Sequence, residues 1–381
     1  DYFFYVPENK NISIPNSLLP SDGRFGSGPS LVRQSDLRAL ADVAESYMGT
    51  SHRQAPVKDM VGRLRNGLKE LFDLPNEWEI ILGNGGSTLF WDAATFSLIS
   101  EKSHHAVFGE FSSKFAVAAE AAPHIGKPVV NNSDPGTVPI IEESDADTYA
   151  FTHNETSTGV SMKLQRPNNS SSDEAIVLVD ATSAAGGMLW DSSEVDCYYF
   201  APQKCFASDG GIWIAACSPS AIRRIEEISN SNRWVPAGLD LGIALENSKK
   251  NQTYNTPALA TIFLTVQQVE WMNDHGGLPW AAARSSLSSN HIYEWAERHE
   301  LASPFVANSS VRSPVVSTID LNERFDADEV VAICRNNGIL DIGGYRKLGR
   351  NQLRIATFPA IELSDIEALT ASLDYIMESL L

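Results

Sequence analysis

"AIVLVDATSAAGGMLWDSSEVDCYYFAPQKCFASDGGIWIAAC" (residues 175–217) holds three short, almost unbroken apolar runs, IVLV, CYYFA and GIWIAAC. Short runs without polar alternation suit strands of a sheet covered on both faces. The first run ends on Asp180. The second leads into Lys204, preceded by Gln203 and followed by the small-residue turn SDGG. Lysine is costly between flanks that read as buried strand. Either its amine escapes to solvent at the strand end, or the protein uses it.

Working outward, WEIILG (78–83), HAVF (105–108) and TYAFTH (148–153) are further strand candidates. Helical patterns alternate with them. In VKDMVGRLRNGLKELF (57–72), Val57, Met60, Val61, Leu64, Leu68 and Leu71 fall on one helical face. The order predicts an α/β fold, with a large domain over 16–258 whose mainly parallel central sheet is flanked by helices. From about 258 the character changes to long helices, then PVVSTIDL, DADEVVAICRNNG, QLRIATF and a closing helix. This predicts a smaller C-terminal α+β domain over 259–381, with residues 1–15 grouped with it. NNSDPGTVP (131–139) and RPNNSSSDE (166–174) read as surface loops.

The chain has 381 residues, 43% of them hydrophobic and 20% charged, with a formal charge of −19. That charge argues against a nucleic-acid partner, while leaving room for a locally basic pocket. Cys197, Cys205, Cys217 and Cys334 show no metal-ligand spacing, so the expectation is reduced thiols and no metal. The opening residues DYFFYVPENKNISIPNSLLP lack the basic start and apolar stretch of a signal peptide. No apolar run approaches the roughly 20 residues of a membrane helix. A soluble, cytoplasmic protein is expected.

Chemistry concentrates at three places. In ILGNGGSTLFWDAA (81–94), a strand ends at Gly85 and Gly86, then Ser87 and Thr88 open a helical pattern. Backbone N–H groups at such a turn, with the helix dipole, can hold an oxyanion; an ordinary strand-to-helix turn is the plainer reading. The stretch fits neither the P-loop nor the dinucleotide fingerprint. Asp180 stands at a strand end, where open α/β sheets bind ligands. It either holds a ring nitrogen protonated or closes an Asx turn. Lys204 is either a nucleophilic amine with a lowered pKa or a snorkelling side chain. Together the three meet the needs of pyridoxal phosphate, which presents a phosphate, a pyridine nitrogen and an aldehyde.

The motifs RFGSGPS, SHR (51–53), GNGGST, HNETSTGV, DATSAAGG, PQK, NTP (255–257) and GYRKLGRNQLRIATFPA occur in one order across residues 24–360. In these the chain resembles the phosphoserine aminotransferases, within class V of the fold-type I pyridoxal-phosphate enzymes. The resemblance implies that Lys204 binds the cofactor covalently and then moves the proton of the 1,3-shift, while Asp180 pairs with the ring nitrogen. Gly86, Ser87 and Gln203 would hold the cofactor phosphate, with Asn255 and Thr256 of a second subunit. Thr156 would contact the ring oxygen and Phe111 the ring face. Arg354 would clamp the substrate α-carboxylate, and Arg346, with His52 and Arg53 across a homodimer interface, its phosphate. The implied reaction transfers an amino group between glutamate and 3-phosphohydroxypyruvate, giving O-phosphoserine and 2-oxoglutarate in serine biosynthesis. The phosphohydroxythreonine of vitamin B6 synthesis is a second expected substrate. Phe111 and Tyr345 depart from the better-known bacterial pattern, which has Trp and His there, and two extra residues separate Arg346 from Arg354. Another class V enzyme, such as an alanine–glyoxylate aminotransferase, and a non-catalytic cofactor-binding protein are the alternatives.

Overall fold

The structure is a computed structural model describing residues 12–167 and 175–381. Most of the loop expected over 166–174 lies outside the described residues, as do residues 1–11. Helices α1 (Gln34–Tyr47) and α2 (Ala55–Leu71) lead into β1 (Glu79–Asn84), α3 (Ser87–Ser97), β2 (Ser103–Val107), α4 (Glu110–Ala121), β3 (Val129–Asn132) and β4 (Thr148–Thr152). A small hairpin, β5 (Asn154–Glu155) and β6 (Val160–Ser161), precedes β7 (Ile176–Asp180), β8 (Cys197–Phe200) and β9 (Ile212–Cys217). The six predicted residues of α2 are all buried, as their spacing requires.

Seven strands form one sheet in the order β1-β9-β8-β7-β4-β2-β3. The pairs from β8 to β3 are parallel, whereas β9 runs antiparallel to both β1 and β8. Side chains alternate across the sheet at period two. Val177 and Val179 enter one core cluster, and Ile176 and Leu178 the other, so β7 is buried on both faces. That is why its sequence is continuously apolar.

One expectation needs correction. Asn131 and Asn132, read as the start of a loop, are the last residues of β3 and pair with Ala106 and Val107. β3 is an edge strand with only alternate residues half-buried, so it needs no apolar run. The Asn131 amide instead bonds His104 Nε2 and accepts from Glu142 N–H.

Helices α5 (Pro219–Ser229), α6 (Leu241–Ser248), α7 (Leu259–Asp274) and α8 (Gly277–Arg298) follow. A three-stranded antiparallel sheet of β10 (Ala302–Pro304), β11 (Val316–Leu321) and β12 (Gln352–Ala356) carries α9 (Ala327–Asn336) and α10 (Leu363–Leu380). The described N-terminal residues lie against this part: Ile14 N–H donates to Asn337 Oδ1 and Ser21 N–H to Asp365 Oδ1. Phe25 and Leu340 extend the contact through Phe25 N–H to Leu340 O and Leu340 N–H to Gly23 O. Among the described residues no helix is long and apolar enough to cross a membrane.

Candidate active site

The C-terminal ends of β7 and β8 open onto a cavity of about 400 Å³. Gly86, Ser87, Phe111, Thr156, Asp180, Gln203, Lys204 and Arg354 all line it. Residues separated by up to 268 positions in the chain (Gly86 to Arg354) thus meet at one place.

Lys204 is buried, 6% exposed. Its ammonium donates to Thr156 Oγ1 at 2.9 Å and lies 5.4 Å from the Phe111 ring centroid. Burial, with the Arg354 charge adding to it, brings its pKa down from 10.5 to about 8; Asp180 and Glu155 pull the other way. The aliphatic stem is held by the backbone of Gly28, where a Cβ would come within 2.8 Å of Lys204 Cε and where φ is +138°. Glycine alone suits that position.

Asp180 is buried with both oxygens in use. Oδ1 accepts from Thr182 N–H at 3.0 Å and Thr182 Oγ1–H at 2.6 Å, and Oδ2 accepts from Trp91 Nε1–H at 3.1 Å. The Asx turn weighed from sequence is therefore present, on one oxygen, and the same carboxylate still faces the cavity. Across it, α3 begins at Gly86 with no side chain capping its end. The first N–H groups of a helix have no acceptor within it, and the dipole there favours an anion. The Thr182 hydroxyl proton goes to Asp180, so Ser87 Oγ–H donates to Thr182 Oγ1 at 2.6 Å, tying this turn to Asp180.

Arg354 enters from β12, held by the pairing of β12 with β11. Its guanidinium donates to Thr156 O at 3.3 Å and lies over the Tyr345 ring at 5.3 Å. No carboxylate pairs with it among the described residues, and its Nε is buried without a partner. Ser27 Oγ, Asn154 Oδ1 and Gln203 Oε1 are likewise buried and unbonded around the same space. Buried polar atoms are normally satisfied, so this group marks a place for a polar ligand. The donors suit pyridoxal phosphate: an amine for its aldehyde, a carboxylate for its ring nitrogen and an open helix end for its phosphate.

The remaining sequence candidates are not in this wall. His52 Nδ1 meets Thr256 Oγ1 at 3.2 Å, and Arg53 donates to Gln252 Oε1 at 3.2 Å. Asn84 Nδ2 donates to Asn255 and to Thr256 O. His52, Arg53, Asn255 and Thr256 thus form one exposed or half-exposed group of their own. Arg346 is exposed on a short turn, Arg346–Leu348, beside Tyr345, which does line the cavity. Neighbouring Lys347 pairs with Glu110 at 2.5 Å. Arg24 and Arg350 pair with Asp22 and Asp320.

Sequence reasoning did not single out Trp91, Thr182, Ser183 or Asn154. Thr182 was within reach, two residues after a strand-end Asp. Trp91 was not, because its partner lies 89 positions away. All four cysteines are free and buried. Burial raises the Cys334 thiol to about 12 and the Cys205 thiol further, which removes both as nucleophiles near neutral pH.

The aminotransferase class-V family profile matches residues 25–346. A phosphoserine aminotransferase of Nocardioides sp. is 55% identical over 370 residues, covering 97% of this chain and 99% of that one. A phosphoserine aminotransferase from Rhodococcus jostii is 53% identical, covering 96% and 98%. Among solved structures, a phosphoserine aminotransferase from Cytophaga hutchinsonii superposes with a TM-score of 0.85 at 23% identity, covering 93% of this chain and 99% of that one. That likeness extends the agreement to the fold. With a profile match over most of its length and full-length relatives above half identity, the chain belongs to the class V aminotransferase family.

Proposed function

We propose that this aminotransferase uses pyridoxal phosphate to move an amino group between glutamate and 3-phosphohydroxypyruvate, giving O-phosphoserine and 2-oxoglutarate. Lys204, Asp180 and an Arg354 guanidinium with no carboxylate partner among the described residues carry the aminotransferase part of this reading, and the full-length relatives named above, which act on phosphoserine, carry its phosphoserine part. Burial lowers the Arg354 pKa, so the charge is held there at a desolvation cost that an arriving anion would offset.

When bound, the cofactor supplies an electrophilic aldehyde and an electron-withdrawing ring. Lys204, with its pKa lowered to about 8, is part neutral near physiological pH and able to attack a carbonyl. The same amine takes the proton from the substrate α-carbon. Asp180 holds the ring nitrogen protonated, and the Trp91 and Thr182 bonds keep its carboxylate aimed there. Gly86, Ser87 and Gln203 hold the cofactor phosphate, Thr156 the ring oxygen and Phe111 the ring face. Arg354 receives the α-carboxylate in a bidentate pair.

Two copies complete the site. His52, Arg53, Asn255 and Thr256 of a second subunit face the cavity, the first two meeting the substrate phosphate with Arg346. Their mutual contact within one chain supports a shared presentation. The domain division near residue 258, a cytoplasmic location and a second activity on the phosphohydroxythreonine of vitamin B6 synthesis belong to the same proposal.

The test is a panel of O-phosphoserine, serine, alanine and cysteine as amino donors. Phosphoserine should exceed the others in kcat/KM by roughly 10–100-fold, the value of a charge-assisted pair. Equal rates with serine or alanine would point to a small-side-chain aminotransferase instead. A coloured protein that transaminates none of them would be a binding protein.

A further inference from the structure

Thr156 and Phe111 belong to different elements, and one side chain joins them. Glu155, on β5, is fully buried at 0% exposure. Its carboxylate sits against the N-terminus of α4, the 12-residue helix that carries Phe111. Oε1 accepts from Phe111 N–H at 3.3 Å, Ser157 N–H at 3.2 Å and Ser157 Oγ at 2.7 Å. Oε2 accepts from Ser112 N–H and Ser112 Oγ, both at 2.9 Å. The fit is close: a Cβ on Gly109 would meet Glu155 Cγ at 2.3 Å. A helix needs an anion or hydroxyl at its first N–H groups, yet a Ser, Asp or Thr within the helix cap would serve. A buried glutamate from a distant strand does more than cap.

What it adds is placement. The next residue, Thr156, accepts from the Lys204 ammonium through Oγ1 and from the Arg354 guanidinium through its carbonyl. Through Glu155 the Phe111 ring, the Lys204 amine and the Arg354 head are referred to one rigid junction. We propose that Glu155 is a positioning residue of this active site, setting Phe111 and Thr156 relative to Lys204 and supplying a fixed negative charge to the Lys204 nitrogen. The proposal rests on the reading of Lys204 as the cofactor-binding lysine. The charged or titratable groups acting on that nitrogen are Arg354, Asp180, Glu155 and Cys205. Both carboxylates favour the protonated amine, Asp180 more strongly than Glu155, so Glu155→Gln removes the smaller of the two contributions.

The experiment compares full-length holoprotein of wild type, Glu155→Gln and Glu155→Asp. Two quantities are read, the pH midpoint of the bound cofactor's visible absorption and the cofactor dissociation constant. Glu155→Gln should lower the midpoint by about one pH unit, since a nearby negative charge is lost, and weaken cofactor binding about tenfold. Glu155→Asp keeps the charge but withdraws it from α4, so its midpoint should stay near wild type while binding weakens. A helix cap alone would alter thermal stability without moving the midpoint, so an unmoved midpoint in a folded Glu155→Gln overturns the proposal. Should that variant not fold, unchanged cofactor affinity in Glu155→Asp overturns it instead. Absence of any visible band in the wild type sinks the lysine reading and this proposal together, whereas a normal wild type beside unaffected variants sinks this proposal alone.

Discussion

Replacing Lys204 by Met should stabilise the cofactor-free protein near neutral pH while abolishing transamination. In the unfolded chain the amine has an ordinary lysine pKa of 10.5; in the folded protein it is about 8, chiefly through burial. A base with a depressed folded pKa binds fewer protons folded than unfolded. Stability therefore rises with pH between about 8 and 10.5, and below that window the buried ammonium costs the fold its full amount, about 3 kcal/mol. Met matches the aliphatic stem and removes that cost. Against it stands the lost bond to Thr156 Oγ1 at 2.9 Å, worth about 1 kcal/mol. The expected net gain is about 2 kcal/mol at about pH 7; it crosses zero at about pH 10 and turns into a loss of up to about 1 kcal/mol above pH 10.5, where only the missing bond counts. Urea unfolding of stripped wild type and Lys204→Met at both ends of the window measures it. A variant less stable than wild type at neutral pH, or a gain that does not fade as pH rises, would refute the idea that the fold carries this lysine at a cost in order to use it.

Arg354→Leu should raise KM for amino-acid substrates roughly 10–100-fold, because the proposed charge-assisted bidentate pair with the α-carboxylate would be lost. It should also raise the pH midpoint of the Lys204 titration, since the arginine charge helps to hold it down; steady-state kinetics and a spectral titration read the two effects. Asp180→Asn preserves shape but removes the charge proposed to pair with the cofactor ring nitrogen. In that variant kcat should fall roughly 10–100-fold while the protein remains folded, and a rate within twofold of wild type would remove Asp180 from its assigned role.

Local signals made much of this molecule legible. The 3.6-residue spacing in 57–72 identified a buried helical face because every position on that face meets the same core. The continuous apolar runs identified β7, β8 and β9 because both faces of a covered sheet favour apolar side chains at every position. Asp180 and Lys204 were visible for the same reason: a charge at the end of such a run has to be accommodated, and parallel neighbours place their C-terminal ends together. What depended on tertiary structure was the pairing of polar groups. Trp91 reaches Asp180, Glu155 reaches the start of α4, and Arg354 has no carboxylate partner among the described residues, although nothing within a few residues of any of them announces it. Periodicity and burial are written along the chain, whereas a hydrogen-bond partner is chosen by distance in space. The edge strand β3 escaped notice on the same grounds, since its Asn131 is stabilised by bonds to distant His104 and Glu142 and not by an apolar pattern of its own.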